Sequence, residues 1–109
     1  MENIIYNELL VRGYNVDVGI VEIREENTRK QLEVDFVCNL GNKRYYIQSA
    51  LALPDREKTI QEQRPLMNIG DNFKKIIVVK ENIKSWITEE GMSVVGLQEF
   101  LLNQNSLDL

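Results

Sequence analysis

The 109 residues are enough for one domain with a single hydrophobic core and too few for two. Apolar residues make up 43% of the chain and charged residues 28%, which is ordinary for a soluble globular protein. No apolar run is long enough to cross a bilayer, and the N-terminus lacks a basic segment followed by an apolar one. We therefore predict a soluble, cytoplasmic domain.

The charged and reactive side chains argue against several function classes. Thirteen basic against seventeen acidic residues give a net charge of −4, which disfavours nucleic-acid binding because phosphate neutralisation supplies most of its affinity. The chain has no histidine and one cysteine, which excludes a zinc site and Ser-His or Cys-His catalysis. Cys38 is predicted to be a buried structural thiol. A local basic patch would have to come from Arg56, Lys58, Arg64, Lys74 and Lys75.

The N-terminal part of the chain predicts a helix, a strand and an exposed loop. Residues 2–12 carry the apolar stripe of an amphipathic helix, and Gly13 ends it. Only Met1 precedes this helix, so we expect the chain to be a fragment of a longer protein. Residues 14–23 alternate as a strand does, and the charged residues 24–30 are typical of a solvated hairpin loop.

Residues 32–52 predict a β-hairpin on which the rest of the fold is organised. With Leu40-Gly41 as a two-residue turn, Asp35 faces Tyr46, and Tyr45 and Tyr46 lie on opposite sheet faces. The predicted core face contains Leu32, Val34, Phe36, Tyr45 and Ile47. The predicted polar face contains Glu33, Asp35, Arg44, Tyr46, Gln48 and Ala50, with Glu33 opposite Gln48.

The remaining elements follow from caps, breakers and apolar runs. Asp55 is placed to cap a helix from residue 56 to about residue 64, which Pro65 then breaks or kinks. The β-branched run at 76–79 predicts a strand covered on both faces and parallel to the preceding strand. We predict a loop or helical turn at 81–88, a strand at 92–95, a helix at 97–102 and a fraying tail at 103–109.

The predicted order is an α/β fold with an αβββαβ core, a mixed sheet flanked by helices, and a terminal βα extension. This order resembles the PD-(D/E)XK nuclease-like, or restriction-endonuclease-like, fold. That family carries an Asp on the second strand and Glu-x-Lys or Asp-x-Lys on the third. Here Asp35 matches the Asp position, Gln48 the acidic position and Ala50 the lysine position.

A closer resemblance covers most of residues 2–79. The segments ENIIYNELLVRGYNV, EVDFV, YYIQSALAL and IQEQRPLMNIGDNFKKIIVV resemble the C-terminal domain that follows the ATPase module of many prokaryotic AAA+-type ATPases. The resemblance implies one nuclease-like domain over residues 1–109, with the ATPase module of the same parent protein as its partner. A GxxxxGK[ST] motif is absent, so this chain alone should not bind ATP.

The departures from the nuclease motif bear on its chemistry. Two carboxylates hold the catalytic magnesium ion, and the lysine offsets developing charge. Gln48 brings no charge and Ala50 brings no polar group, so Asp35 and Gln48 are vestigial candidates rather than a catalytic pair. A metal site would need Asp35 with Glu33, a third carboxylate from Glu2 or Glu8, and Lys43 or Arg44 as the cation. A structural role for Asp35, such as pairing with Arg44, is the favoured interpretation.

Three functional hypotheses follow. The first is a non-catalytic interaction or regulatory domain of an AAA+-type ATPase, without a cofactor and without enzymatic activity of its own. The second is a magnesium-dependent nuclease or nucleic-acid-binding domain that uses Asp35 with non-standard partners. The third is self-assembly through the exposed edge of the last strand and the helix at 97–102.

Overall fold

The chain folds as a mixed six-stranded sheet with helices on both faces, which confirms the predicted α/β class. The computed structural model describes residues 1–108. Strand order across the sheet is β1-β2-β3-β4-β6-β5. The elements are α1 (Glu2–Val11), β1 (Asn15–Glu25), β2 (Thr28–Leu40), β3 (Lys43–Ala50), α2 (Arg56–Met67), β4 (Lys74–Val79), β5 (Trp86–Ile87), β6 (Ser93–Gly96), α3 (Leu97–Leu102) and a 3-10 turn (Ser106–Asp108). No helix in this range is long and apolar enough to span a membrane.

Each sheet face carries its own buried cluster. The first cluster joins α1 and α3 to the sheet and contains Ile5, Leu9, Phe36, Cys38, Tyr45, Ile47, Ile76, Val78, Val95, Phe100 and Leu107. The second joins α2 to the opposite face and contains Val34, Tyr46, Ala50, Leu66, Ile77, Val79, Met92 and Val94. The hairpin face that we predicted to be polar is therefore a second core. Tyr45 and Tyr46 do lie on opposite faces, and Cys38 is buried, as predicted.

The first hairpin is longer than predicted because its loop is short. Glu26 and Asn27 form a two-residue turn with φ of 47° and 66°, the left-handed conformation that such turns require. Arg24 pairs with Arg29 across the hairpin, inside the stretch that we predicted to be a loop. Charged side chains on an exposed strand end remain solvated, so charge density did not distinguish strand from loop here.

A β-bulge in β2 separates two residues that we predicted to share a face. Asp17 pairs with Val37 and Gly19 with Val34, so β2 carries one extra residue between these pairs. The extra residue reverses the alternation, which places Val34 in the second cluster and Phe36 in the first. Leu32, which lies beyond the bulge, pairs with Val21 and is half-buried. The predicted core face that joined Leu32, Val34 and Phe36 is therefore wrong.

The second hairpin turns one residue later than predicted. Leu40 pairs with Lys43, so the turn residues are Gly41 and Asn42, and Gly41 has a φ of 61°. Glycine adopts this φ without the steric cost that a side chain would add. Val37, rather than Asp35, now faces Tyr46. The pairing moves by two residues, which is why the assignment of Tyr45 and Tyr46 to opposite faces survives the error.

Helix α2 begins as predicted and ends later. The Asp55 side chain accepts a hydrogen bond from the Lys58 N–H at 2.8 Å, so Asp55 caps the helix. Pro65 lies inside the helix, which continues to Met67. The Asn68 side chain then donates to the Arg64 carbonyl at 2.8 Å and closes the last turn. Strand β4 runs parallel to β3, as predicted for a strand–helix–strand connection.

The C-terminal part differs from the prediction at the sheet edge. Residues 81–88 contain β5, which pairs antiparallel with β6, so β6 lies inside the sheet between β4 and β5. The exposed edge that we assigned to the last strand therefore belongs to the two-residue strand β5. Trp86 and Ile87 on this edge are exposed.

The segment after α3 packs against the domain instead of fraying. Ser106 and Leu107 are buried, with 1% and 2% of their surface exposed. The Arg12 guanidinium donates to the carbonyls of Phe100 and Asn103 and to the Ser106 hydroxyl. Tyr45 donates to the Asp108 carboxylate. The predicted fraying is wrong for residues 103–108, and Leu109 lies outside the described residues.

Candidate degenerate active site

Asp35 lies in the bulge of β2, one residue beyond the last paired residues of the second hairpin, Phe36 and Ile47. Its carboxylate oxygen Oδ2 accepts hydrogen bonds from the backbone N–H and the hydroxyl of Ser49, both at 2.8 Å. The predicted pairing with Arg44 does not occur, because Arg44 donates to Asn39 Oδ1 at 2.7 Å. The Asp35 carboxylate is therefore bonded to the neighbouring strand β3 and not to Arg44.

Gln48 of β3 makes a further hydrogen bond between β3 and β2. Its Oε1 accepts a hydrogen bond from the Asp35 N–H at 3.0 Å, and 9% of the residue is exposed. A bulge leaves a strand N–H outside the regular ladder, and such a group needs a substitute acceptor when it is shielded from water. Gln48 provides this acceptor. Each of these two side chains thus accepts a hydrogen bond from a backbone N–H of the other strand: Asp35 from Ser49, and Gln48 from Asp35.

Ala50 points into the second core. It is 5% exposed and packs in the cluster that contains Val34, Leu66 and Val79. A lysine at this position would carry its ammonium group into an apolar layer, at a high desolvation cost unless a carboxylate paired with it. The surroundings of Ala50 thus match its small apolar side chain.

The other candidate ligands are dispersed. Glu33 is exposed and pairs with Ile20 of β1, and Glu8 contacts Arg12 at 3.4 Å. Glu2 lies at the edge of the site, where its Oε1 is 3.4 Å from Ser49 Oγ, whose single proton is directed to Asp35 at 2.8 Å. Across residues 1–108, no three side chains of His, Cys, Asp or Glu are grouped as a metal site requires. Lys43 lies beside the turn at Gly41 and Asn42, remote in the ladder from the end where Asp35 lies.

An open cleft of roughly 740 Å³ borders this site. It is lined by Met1, Glu2, Asn3, Ser49, Ala50, Leu51, Ala52, Lys58 and Glu62. Ser49 and Glu62 were not singled out from the sequence, and Lys58 was considered only for a basic patch. Ser49 could have been noticed from the sequence, because it places a hydroxyl on a strand face that otherwise carries Tyr45 and Ile47. The Lys58 ammonium is held by Glu62 at 2.7 Å, one helical turn along α2, so within the cleft its charge is already paired.

The basic residues that we considered for a nucleic-acid patch are mostly paired with acids. Arg56 contacts Glu90 and Glu89, and Arg64 contacts Glu25. Lys75 donates to the carbonyls of Asp71 and Phe73 at 2.8 and 3.0 Å. Burial lowers the pKa of Lys74. These contacts spread the positive charge over the surface in local pairs.

Two acid–base properties follow from these contacts. Hydrogen bonds from Arg56 and then from Gln63 lower the pKa of Glu90 to about 2, from an ordinary value of 4.5. Burial raises the pKa of the Cys38 thiol to about 12. Both shifts belong to groups that hold the fold together, and neither group lines the cleft beside Asp35.

The comparisons with known proteins give one relative. The chain is 33% identical over 103 residues to an uncharacterized protein of Haemophilus influenzae. The match covers 94% of this chain and 22% of that protein, so the chain spans about a fifth of the length of the curated relative it matches. No family model and no solved structure matches the chain.

Proposed function

We propose that this chain is a non-catalytic accessory domain of a larger AAA+-type ATPase, with a restriction-endonuclease-like fold and a degenerate nuclease site. The observation that carries the proposal is the reciprocal bonding at the bulge. Asp35 accepts from Ser49, and Gln48 accepts from Asp35, so both residues at the acidic positions stabilise the junction of β2 and β3. Under this proposal, the residues at the former site hold β2 and β3 together instead of binding a metal ion.

The chemistry that a nuclease requires is incomplete at this position. Magnesium sites that activate water to attack a phosphate use one or two carboxylates whose oxygens are free to bind the ion. They also use a cation that offsets the charge developing on the phosphate. One oxygen of Asp35 already accepts two hydrogen bonds from Ser49. Gln48 is neutral, and Ala50 is buried where the cation would be. Under this proposal the domain binds no cofactor.

The relative supports a larger parent protein. This chain aligns with about a fifth of that protein, and the remainder is long enough to hold an ATPase module. Within the parent, the domain would act in the cytoplasm by contacting the ATPase module or a protein that the module engages. The paired basic side chains, together with the net charge of −4, disfavour nucleic acid as the partner.

The alternative is a magnesium-dependent nuclease or nucleic-acid-binding domain that uses Asp35 with Glu33. Glu33 pairs with Ile20 of β1 and its side chain is exposed, whereas the Asp35 carboxylate is bonded to Ser49 of β3, so the two carboxylates would have to reorient to share an ion. Glu2 is better placed, because its Oε1 lies 3.4 Å from the Ser49 Oγ that donates to Asp35. A nuclease site would thus have to form from Asp35 and Glu2 without a free cation beside them.

A cleavage assay separates the two functions. Plasmid DNA and single-stranded RNA are incubated with the protein in magnesium or manganese, beside the Asp35→Asn variant, which removes the charge and keeps an oxygen acceptor for Ser49. We expect equal, background-level cleavage from both proteins. Cleavage by the wild type that Asp35→Asn abolishes would establish the nuclease instead.

The ATPase part of the proposal is tested on the gene. We expect the coding region upstream of Met1 to continue in frame and to encode a GxxxxGK[ST] phosphate-binding loop followed by an ATPase module. A stop codon in frame directly upstream, with no such loop in the same reading frame, would contradict the proposal.

A further inference from the structure

Strand β1 is a long edge strand with an uncovered apolar face. Its eleven residues pair with β2 on one side only. Val18 and Ile20 are 63% and 61% exposed, although both are β-branched residues in the middle of a strand. Proteins protect edge strands with charged side chains, proline, bulges or a covering element. β1 contains no proline and no lysine, the bulge beside it lies in β2, and its charged residues leave residues 18–21 uncharged. The opposite sheet edge, β5, is only two residues long and has less backbone to offer.

The free backbone groups of β1 lie beside these exposed side chains. In a hairpin with a two-residue turn the closing pair, here Glu25 with Thr28, is hydrogen-bonded, and hydrogen-bonded pairs then alternate along the strands. Even-numbered residues of β1 therefore direct their N–H and C=O groups away from β2. Val18 and Ile20 are among them, so the same residues carry the free backbone groups and the exposed apolar side chains.

We propose that β1 pairs antiparallel with β1 of a second copy of this chain, about a two-fold axis at Gly19, to form a continuous twelve-stranded sheet from two six-stranded ones. In this register Val18 lies opposite Ile20 of the second copy, and Ile20 opposite its Val18. Apolar side chains at directly opposed positions of antiparallel strands stabilise the pair. Gly19 places no side chain at the axis.

The charges of β1 are compatible with this register and oppose others. Around Gly19, Glu22 lies opposite Val16, and Asp17 lies opposite Val21, so no like charges face each other. An axis at Glu22 would place Glu22 opposite itself, and an axis at Val21 would place Asp17 opposite Glu25. An axis at Ile20 also avoids like charges but places Val18 opposite Glu22, whereas the Gly19 axis places Val18 and Ile20 opposite each other. This match between exposed apolar residues of the same strand favours a second copy, rather than an unrelated peptide, as the occupant.

This interface differs from the self-assembly surface expected from the sequence, and it does not depend on the accessory function proposed above. A single strand pair buries less than the roughly 1,200 Å² of a standard stable interface. We therefore expect a weak dimer whose population rises with protein concentration.

Light scattering or sedimentation across a concentration series tests association. We expect a monomer–dimer equilibrium that Val18→Lys or Ile20→Lys weakens by about tenfold or more, because each introduces a charge opposite an apolar residue. The control is Ile87→Lys, which changes an equally exposed isoleucine on the β5 edge and should leave association unchanged. A wild type that stays monomeric throughout, or a dimer lost in Ile87→Lys and kept in Ile20→Lys, overturns the proposal.

Disulfide trapping tests the register. Directly opposed residues in a hydrogen-bonded antiparallel pair have Cα atoms about 5.5 Å apart, a separation that a disulfide spans. Under mild oxidation a mixture of Val18→Cys and Ile20→Cys proteins should give a disulfide-linked heterodimer, and neither variant alone should crosslink efficiently. The native Cys38 is buried and does not compete. Efficient crosslinking of Val18→Cys or Ile20→Cys alone, without preference for the mixture, contradicts an axis at Gly19.

Discussion

Asp35 and Gln48 connect β2 and β3, because the side chain of each accepts a hydrogen bond from a backbone N–H of the opposite strand. The Asp35 carboxylate accepts a hydrogen bond from the Ser49 N–H, and the Gln48 amide oxygen accepts one from the Asp35 N–H. Both contacts lie where the bulge interrupts the regular ladder. These two side chains therefore replace backbone hydrogen bonds that the bulge interrupts.

Removing the Gln48 acceptor tests this role. We expect Gln48→Ala to lower the free energy of unfolding by about 1–3 kcal/mol, because it leaves the Asp35 N–H without its partner and opens space in a packed region. The measurement is urea unfolding followed by circular dichroism. The control is Gln31→Ala, which changes an exposed glutamine of the same strand as Asp35 and should stay within about 0.5 kcal/mol of the wild type. Equal effects of the two substitutions would contradict the role.

The lowered pKa of Glu90 makes the stability of the fold depend on pH in the acidic range. Its pKa is about 2 in the folded state and 4.5 for the unperturbed group, so the unfolded chain binds the proton more tightly. The resulting stability is present above pH 4.5 and is lost as the pH falls towards 2. We expect Glu90→Gln to flatten the dependence of the melting temperature on pH in this window.

The matched control for Glu90 is its neighbour. Glu89 contacts the same arginine at 3.4 Å, but 82% of its side chain is exposed, so solvent screens the contact. Glu89→Gln should leave the acid dependence close to that of the wild type. If Glu89→Gln flattens the curve as much as Glu90→Gln does, the hydrogen bonds from Arg56 and Gln63 do not set the pKa of Glu90.

At the scale of elements, the C-terminal segment is held by the N-terminal helix. Arg12, just after α1, donates to the carbonyls of Phe100 in α3 and Asn103 after it and to the Ser106 hydroxyl. Its guanidinium lies 4.8 Å from the centre of the Phe100 ring. Leu107 fills the first core. The two ends of the described chain are thus fixed to each other through the same layer of the domain.

Truncating Leu107 tests that attachment. We expect Leu107→Ala to cost about 2–5 kcal/mol of unfolding free energy, the usual range for a leucine truncated in a packed core. Leu102→Ala is the control, because Leu102 is 75% exposed and its loss should cost little. Similar small effects for both leucines, in urea unfolding, would show that the segment contributes little to the core.

The sequence predicted the elements better than their pairing. Apolar periodicity identified α1, β3 and α3, the continuous β-branched run identified β4, and the cap at Asp55 identified the start of α2. The bulge at Asp35 was not predictable, because an extra residue in a strand leaves the alternation of residue types nearly unchanged while it moves Val34 to the other face. The C-terminal segment was misjudged because most of its residues are polar, whereas its packing depends on Leu107 and on a distant arginine.

The candidate site was predictable only in part, because residue spacing shows which residues lie near each other but not how the strands pair. Spacing placed Asp35 and Gln48 near each other, and the structure brings them into direct contact. Which atoms meet depends on the bulge and on the turn at Gly41, so the Ser49 contact and the burial of Ala50 appear only in three dimensions. The bonding of Arg44 to Asn39 likewise follows from the observed register, in which these residues are paired.

At the scale of the whole molecule, the sheet is covered by helices on both faces. The first core lies under α1 and α3 and the second under α2, and Ile76 to Val79 alternate between the two. The region beside Asp35 is the junction of α1, β2 and β3, where the cleft opens. At this junction Gln48 bonds to the backbone of Asp35, and Ala50 packs in the second core.

The central claim is that this junction is structural and holds no metal ion. Thermal unfolding of the wild type and of Asp35→Asn, each with millimolar magnesium and with sodium chloride of matched ionic strength, tests it most directly, because a ligand that binds the folded state raises the melting temperature. We predict that magnesium leaves both melting temperatures unchanged and that any difference between the two proteins is the same in both salts. A rise in the wild type with magnesium that is absent from Asp35→Asn would contradict the claim.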